Sequence, residues 1–218
     1  GLICLQSKDA PPDRISLVPD QFISPAPIPN AIQNVIEVNL ETDFAPSAIN
    51  DFLFRKTPRF LNGPKNPILE PNLSADAFIK SIILAANQLN NSYLCIQGPP
   101  GAGKTFTARK VIGDLIAKGK RIGISSNSHK AIINLMDGVA DHLIENDITG
   151  KLIKIGSNDE DPFFSKKNVT HRKDAKACGN ELNDSSLCIG GTAWLFCNSA
   201  LTEEQGVKLF DYLFIDEA

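Results

Sequence analysis

The residues Gly98, Pro99, Pro100, Gly101, Ala102, Gly103, Lys104 and Thr105 fit the pattern G-x-x-x-x-G-K-[ST] in full. They follow the apolar run YLCIQ (93–97) and precede Ala108, Val111, Ile112, Leu115 and Ile116, which recur at helical spacing. A strand, this glycine-rich loop and a helix in that order form a cradle for phosphate. The glycines let backbone N–H groups converge on phosphate oxygens, and the helix N-terminus adds its partial positive charge. In such a loop Lys104 reaches the β and γ phosphates of a nucleotide and the Thr105 hydroxyl ligates Mg2+. The pattern therefore predicts a strand over 93–97 and a helix over 105–118 that Gly119 stops in a left-handed cap.

The rest of the chain repeats this alternation. Ser74 is placed to cap a helix running to about residue 90, with Phe78, Ile82, Leu84, Ala85 and Leu89 on its packed face. RIGIS (121–125) reads as the next strand. From His129 to about Glu145, Ile132, Leu135, Met136, Val139 and Leu143 mark another helix. KLIKIG, SLCIGGT and YLFIDEA follow as three short apolar strands, and the polar stretch between Gly156 and Asn183 reads as a surface excursion with some helix. Strands alternating with helices of this length predict an α/β fold with a mainly parallel sheet and helices on both faces. Ahead of it, residues 1–30 are proline-rich and irregular. Residues 31–59 suggest two short helices broken near Pro46, and the loop NGPKNPILEPN follows. The expected division is a linker and short helical segment over 1–70 and a nucleotide-binding domain over 71–218.

The second chemical signal is Asp216-Glu217 at the end of the run YLFI. In a parallel sheet the carboxyl end of a strand opens onto the same edge as the phosphate loop. Carboxylates there can hold Mg2+ (Asp216) and orient or deprotonate the attacking water (Glu217). A strand ending in a solvated turn has the same appearance, and the phosphate loop upstream favours the catalytic reading.

Composition narrows the field without choosing within it. The 218 residues are 42% apolar and 22% charged, which excludes a disordered tail, a collagen-like rod and a disulfide-rich miniprotein. A net charge of -3 supplies no global field for nucleic acid, so any such binding must be local. Five cysteines at wide spacings, with no CxxC pair, suit reduced thiols. No apolar run approaches the roughly 20 residues of a membrane span, and the start lacks a signal peptide's basic and apolar regions. The expectation is an intracellular, cytoplasmic chain without a membrane partner. It begins at Gly1, and it ends just after the YLFIDEA run, which reads as part of something longer.

IQGPPGAGKT, RIGISSNSHKAI, CIGGTAWLF and DYLFIDEA occur in the order of motifs I, Ia, Ic and II of superfamily 1 DNA/RNA helicases. The likeness covers about residues 56–218 and is nearest the Upf1/Dna2-like branch. The wording of SNSHKAI and GGTAWLF is most similar to the helicase part of bacterial proteins that fuse a RecB-like nuclease to a Dna2-like helicase. The resemblance implies a RecA-like P-loop NTPase domain, truncated after motif II, that binds ATP and Mg2+ and moves along single-stranded DNA or RNA in repair or recombination. Carried onto this sequence, 98–105 hold the triphosphate, Lys104, Asp216 and Glu217 are catalytic, and Thr105 with Asp216 holds the metal. Ser126, Asn127, Ser128 and His129 fall where motif Ia meets the nucleic-acid backbone, and Thr192 falls where motif Ic meets the strand.

Lys130 could add a phosphate contact and Trp194 could stack on a base, but these and the SNSH turn have plainer readings. SNSH is also a good helix cap, Lys130 suits a solvated helix face, and Trp194 beside Leu195 and Phe196 suits a core. The helix before the loop lacks the family's glutamine signature for adenine, and Gln97 is not that residue. The resemblance also implies a second RecA-like domain supplying an arginine finger, and a RecB-like nuclease domain, in the parent chain. Because such an arginine is worth about 10³–10⁵ in phosphoryl transfer, this chain alone is expected to bind ATP and hydrolyse it poorly. Two rival readings are a P-loop kinase or nucleotide-binding ATPase without a nucleic-acid partner, and a P-loop module holding ATP as a structural or regulatory ligand. The spacing of more than a hundred residues between Lys104 and Asp216 disfavours the first. The presence of Lys104 and Glu217 disfavours the second.

Overall fold

The structure, a computed structural model, describes residues 24–62, 73–157, 160–201 and 209–216. The first part of the proline-rich stretch, the loop from Gly63 to Asn72 and Glu217 lie outside the described residues. The elements run α1 (Ile28–Glu41), α2 (Ala48–Leu53), α3 (Ala75–Gln88), α4 (Lys104–Ala117), β1 (Ile122–Ser126), α5 (His129–Glu145), β2 (Lys151–Ile155), β3 (Val169–Arg172), β4 (Leu187–Gly191), α6 (Ala193–Phe196) and β5 (Tyr212–Asp216). Short 3-10 turns lie at Pro162–Ser165, Ala175–Asn183 and Ser199–Leu201.

The five strands form one parallel sheet in the order β3-β2-β4-β1-β5. Alternation along β2 and β4 divides their apolar side chains between two cores, while those of β1 lie in one. On one face Ile122, Ile124, Leu152 and Cys188 pack under α4 and α5 with Val111, Leu115, Leu135, Met136 and Val139, all nearly inaccessible to solvent. On the other face Ile153, Ile155, Leu187 and Ile189 are covered by Ala175, Cys178, Leu195 and Leu201. This is the α/β fold of a RecA-like P-loop domain, with helical segments on both faces of the sheet.

Local signals set the helix limits. Ser74 accepts a hydrogen bond from the Ala77 amide to open α3, and Ser128 accepts one from Ala131 to open α5. After α4, Gly119 adopts φ +75, and the amides of Gly119 and Lys120 bond to the carbonyls of Ile116 and Leu115, closing the helix. Helices α1 and α2 break around Pro46, as their spacing suggests.

Two features differ from expectation. Residues 93–97 enter no ladder: Leu94 packs against the core, whereas Cys95 and Ile96 are exposed. An apolar run marks a segment that can be buried, but a strand also needs a neighbour offering backbone donors and acceptors, and β5 does not pair with this run. Conversely, the polar excursion contains β3, whose VTHR sequence pairs with Leu152–Ile155 of β2 at the sheet edge. An edge strand half open to water needs no apolar alternation to be stable, so its signal is weak.

The approach to the phosphate loop is anchored from the helical segment. Asp51, 1% exposed, accepts hydrogen bonds from Arg59 Nε (2.8 Å) and Ser92 Oγ (2.7 Å), and Tyr93 donates to the Lys56 carbonyl. The backbones of Arg59 and Leu61 bond to Asn90 and Gln88. This lattice fixes the chain where it leaves α3 and turns toward Gly98.

Candidate nucleotide and nucleic-acid site

All five strands are parallel, so the turns after β1 and β4 and the end of β5 open on one edge, and Thr105 at the start of α4 lines a common space with Ser128 and Asp216 there. The 98–105 loop enters α4 directly. Gly101 and Gly103 both adopt φ +79, a region costly for any residue with a Cβ. A Cβ on either would meet nothing within 4 Å, so it is the dihedral and not the space that calls for glycine. Gly98 answers to space instead, since a Cβ there would lie 3.1 Å from that of Ala102. Pro99 and Pro100 are exposed, and the Pro99 carbonyl accepts from the Ala102 amide, tightening the turn.

Gly103 is the N-cap of α4 and Lys104 its first residue; no side-chain hydrogen bond caps this end. The first-turn N–H groups thus have no side-chain acceptor. The Lys104 ammonium donates to the carbonyls of Gly98 (2.8 Å) and Pro99 (3.2 Å), arching back over the loop. That holds a positive charge above the turn, where phosphate oxygens would replace the carbonyls as stronger, charged acceptors.

On the opposite side of the edge, β5 pairs in register with β1 so that Asp216 stands beside Ser126. A cavity of about 230 Å³ is lined by Thr105, Ser128, Lys130, Ala131, Asn134 and Asp216. A hydroxyl and a carboxylate more than a hundred residues apart therefore face one space. Oxygen ligands of this kind suit Mg2+, which keeps most of its waters and takes one or two protein oxygens. Glu217, next in sequence, lies outside the described residues.

The turn after β1 divides by burial. Ser126 is 4% exposed and its hydroxyl accepts from the Ser128 amide, whereas Asn127, Ser128 and His129 are exposed along the edge. Thr192 follows β4 as the N-cap of α6, half-buried on the same edge, and its side chain makes no capping bond. Trp194 is 41% exposed and donates from its indole N–H to the Ser24 carbonyl, so it is not part of the core.

One residue of this edge carries no motif. Lys154 on β2 is 0% exposed, and its Nζ lies 3.0 Å from Nδ1 of His129. Burial lowers its pKa to about 8. His129 is also held below its ordinary value, by burial and by the positive charge of Lys154. The available signal was its place in KLIKI: Lys154 shares the inward phase of Leu152, where a lysine is rare.

A family described as an AAA domain matches residues 75–188. The DNA replication ATP-dependent helicase/nuclease DNA2 of Saccharomyces cerevisiae is 26% identical over 168 residues, which cover 75% of this chain and 10% of that protein. The chain thus spans about a tenth of that relative's length. No solved structure matches the chain.

Proposed function

Because the chain belongs to the family described as an AAA domain, matched over 75–188 and so including the phosphate loop, we propose that it is the ATP-binding motor fold of an ATP-dependent helicase or translocase. Residues 71–218 form the first RecA-like domain, preceded by a linker and helical segment over 1–70. The observation that carries this reading is the shared cavity of Thr105, Asp216, Ser128 and Lys130. Thr105 and Asp216, the metal ligands in this reading, line it together with Ser128, from the turn read as meeting a nucleic-acid strand, which supports the assignment.

In this reading the loop N–H groups and Lys104 bind the phosphates, while Thr105 and Asp216 hold Mg2+ and Glu217 orients and deprotonates water. Bound Mg2+ supplies neutralisation of the charge that develops on the phosphate oxygens. Asn127, Ser128 and His129, with Thr192, offer amide, hydroxyl and imidazole groups that fit phosphodiester oxygens and read no base. Ser126 supports this turn from within. A change in the turn on one side of the cavity can thereby be felt at the metal ligands on the other.

A single strand of DNA or RNA, a second RecA-like domain supplying an arginine, and a RecB-like nuclease domain in the parent chain are the proposed partners, with DNA repair or recombination as the setting. Support for the DNA side comes from the likeness to the yeast helicase/nuclease.

The test is Mg-ATP binding and hydrolysis, with and without single-stranded oligothymidylate, by wild type and Lys104→Ala. Wild type should bind, the variant should bind at least about tenfold more weakly, and the oligonucleotide should shift nucleotide affinity. Equal binding by Lys104→Ala overturns the assignment of the loop. Lys104-dependent binding indifferent to single strands favours a nucleotide-handling ATPase without a nucleic-acid partner. Brisk strand-stimulated hydrolysis by this chain alone overturns the need for an arginine from a second domain.

A further inference from the structure

A lysine ammonium has three N–H groups and no acceptor. In Lys154 all three are engaged: Nζ lies 2.7 Å from the carbonyl of Ile155, 3.2 Å from that of Gly156 and 3.0 Å from Nδ1 of His129. The two carbonyls can only accept, so while Lys154 is charged, below about pH 8, the third hydrogen goes to His129 and Nδ1 presents its lone pair. The proton of a neutral His129 ring is then on Nε2. A proton on Nδ1 would set donor against donor, and in the doubly protonated ring also charge against charge, inside the edge of the sheet.

The groups around this contact hold the same arrangement. Gly156, at φ +73, offers its carbonyl both to Lys154 and to Nε2 of His171 on β3 (3.3 Å), and a Cβ at Gly156 would lie 3.4 Å from Cε1 of His129. His129 itself opens α5, exposed, beside the turn already assigned to the strand. The charged group facing it is Lys154 from β2, with Lys130 adjacent on α5; His171 from β3 reaches the same Gly156 carbonyl as Lys154. A buried cation on one strand thus reaches across to the exposed ring on the neighbouring helix.

We propose that Lys154 is a positioning residue that fixes His129 as a neutral, Nε2-protonated donor to a phosphodiester oxygen of the bound single strand. The ligand half of this proposal rests on the function proposed above; the pinning of the ring does not. A histidine left free would change charge near pH 6.5 and make strand affinity pH-dependent. A pinned neutral ring keeps the contact constant across that range. Lys154 acts through His129 and touches no nucleic acid.

The chain has three histidines, so ring-nitrogen NMR on the ¹⁵N-histidine protein is simple to assign with a His129→Gln variant. In wild type, His129 should show an unprotonated Nδ1 and a protonated Nε2 with no change between about pH 7 and pH 6, where Lys154 is charged. In Lys154→Met the ring should populate both tautomers and titrate closer to its ordinary value. Oligothymidylate affinity, read by fluorescence anisotropy, should be flat with pH in wild type. In Lys154→Met it should be weaker by about 2- to 10-fold at pH 7 and tighten as the ring charges below about pH 6.5. His129→Gln should weaken binding by about tenfold at every pH, and Lys154→Arg, which keeps the donor, should restore the flat profile.

A wild-type His129 protonated on Nδ1, or mixing tautomers, overturns the proposal even if Lys154→Met does not fold. Wild-type chain that shows the pinned ring yet binds no oligothymidylate overturns the ligand, and with it the single-strand reading above. Binding that survives His129→Gln unchanged overturns the ligand while leaving that reading in place.

Discussion

Replacing Gly103 by alanine adds one methyl group to the phosphate loop and meets no neighbour, because an ideal Cβ there has nothing within 4 Å. The whole effect must come from the dihedral, φ +79, which costs an alanine about 1–2 kcal/mol. That energy has two outlets. If the turn keeps its shape, the strain belongs to the folded chain and unfolding stability falls by about 1–2 kcal/mol. If the turn relaxes, stability is preserved, but the Gly103 and Lys104 amides leave their bound orientation and the strain returns on binding. Mg-ATP affinity would then fall by about 5- to 30-fold. Urea denaturation and a titration with a fluorescent ATP analogue, on the same preparation, measure the two outlets, and their sum should come to about 1–2 kcal/mol. The same change at Gly101 should behave alike, since it has the same φ and the same empty surroundings. Gly103→Ala with unchanged stability and unchanged affinity would refute the idea that backbone geometry is what the glycine supplies.

Gly190→Ala is the contrasting case. Its Cβ would fall 2.1 Å from Met136 Sδ and 2.9 Å from Ile132 Cγ2, both fully buried, so stability should drop by about 1–3 kcal/mol in denaturant titrations while the affinity of the folded protein for ATP stays the same. Burial pushes the Cys188 thiol up to about 12, so in native protein at pH 8 a maleimide should label exposed Cys95 and leave Cys188 untouched until urea is added, as peptide mass spectrometry would show. For Asp51, burial pushes the carboxyl pKa up, but hydrogen bonds from Ser92 and Arg59 outweigh it and hold it below its ordinary 3.8. A depressed carboxyl contributes its stability above the unfolded value and loses it as pH falls through the folded one. Asp51→Asn should therefore cost about 1–3 kcal/mol at pH 7, with the gap from wild type closing below about pH 4 in pH-resolved denaturation.

The sequence carried most of this architecture because short-range rules and burial agreed with each other. Helix α5 could be bounded correctly from Ser128 and the spacing of Ile132, Leu135, Met136, Val139 and Leu143, since the same residues that cap and pack it also state its period. Where the two kinds of signal separate, reading fails. The 93–97 run has the composition of a buried strand, yet Ile96 is 38% exposed, because ladder partners are a property of the sheet and leave no mark on the run itself. β3 shows the reverse. Val169–Arg172 carries little apolar pattern and is nevertheless held by β2, whose own apolar side chains pack on both faces.

The candidate site divides along the same line. A phosphate loop is legible because its chemistry is local: two left-handed glycines and a lysine one step into a helix must be contiguous to work. The convergence of Thr105, Ser128 and Asp216 is not local. Ser128 and Asp216 share an edge because β1 and β5 run the same way, and Thr105 joins them through the packing of α4 against the sheet. Lys154 is harder still. In the sequence it interrupts an apolar strand as any surface lysine might, and nothing there names His129, 25 residues earlier, as its partner. What gives it away is the cost of its position: a fully buried ammonium is held only where three acceptors meet it. Two of those acceptors belong to its own turn, Ile155 and Gly156, and would be present for any lysine at this position. The third is supplied from another element, on the exposed turn after β1. The structural need of the lysine and the orientation of the histidine are therefore one constraint, and relieving it from either side should be felt at the other.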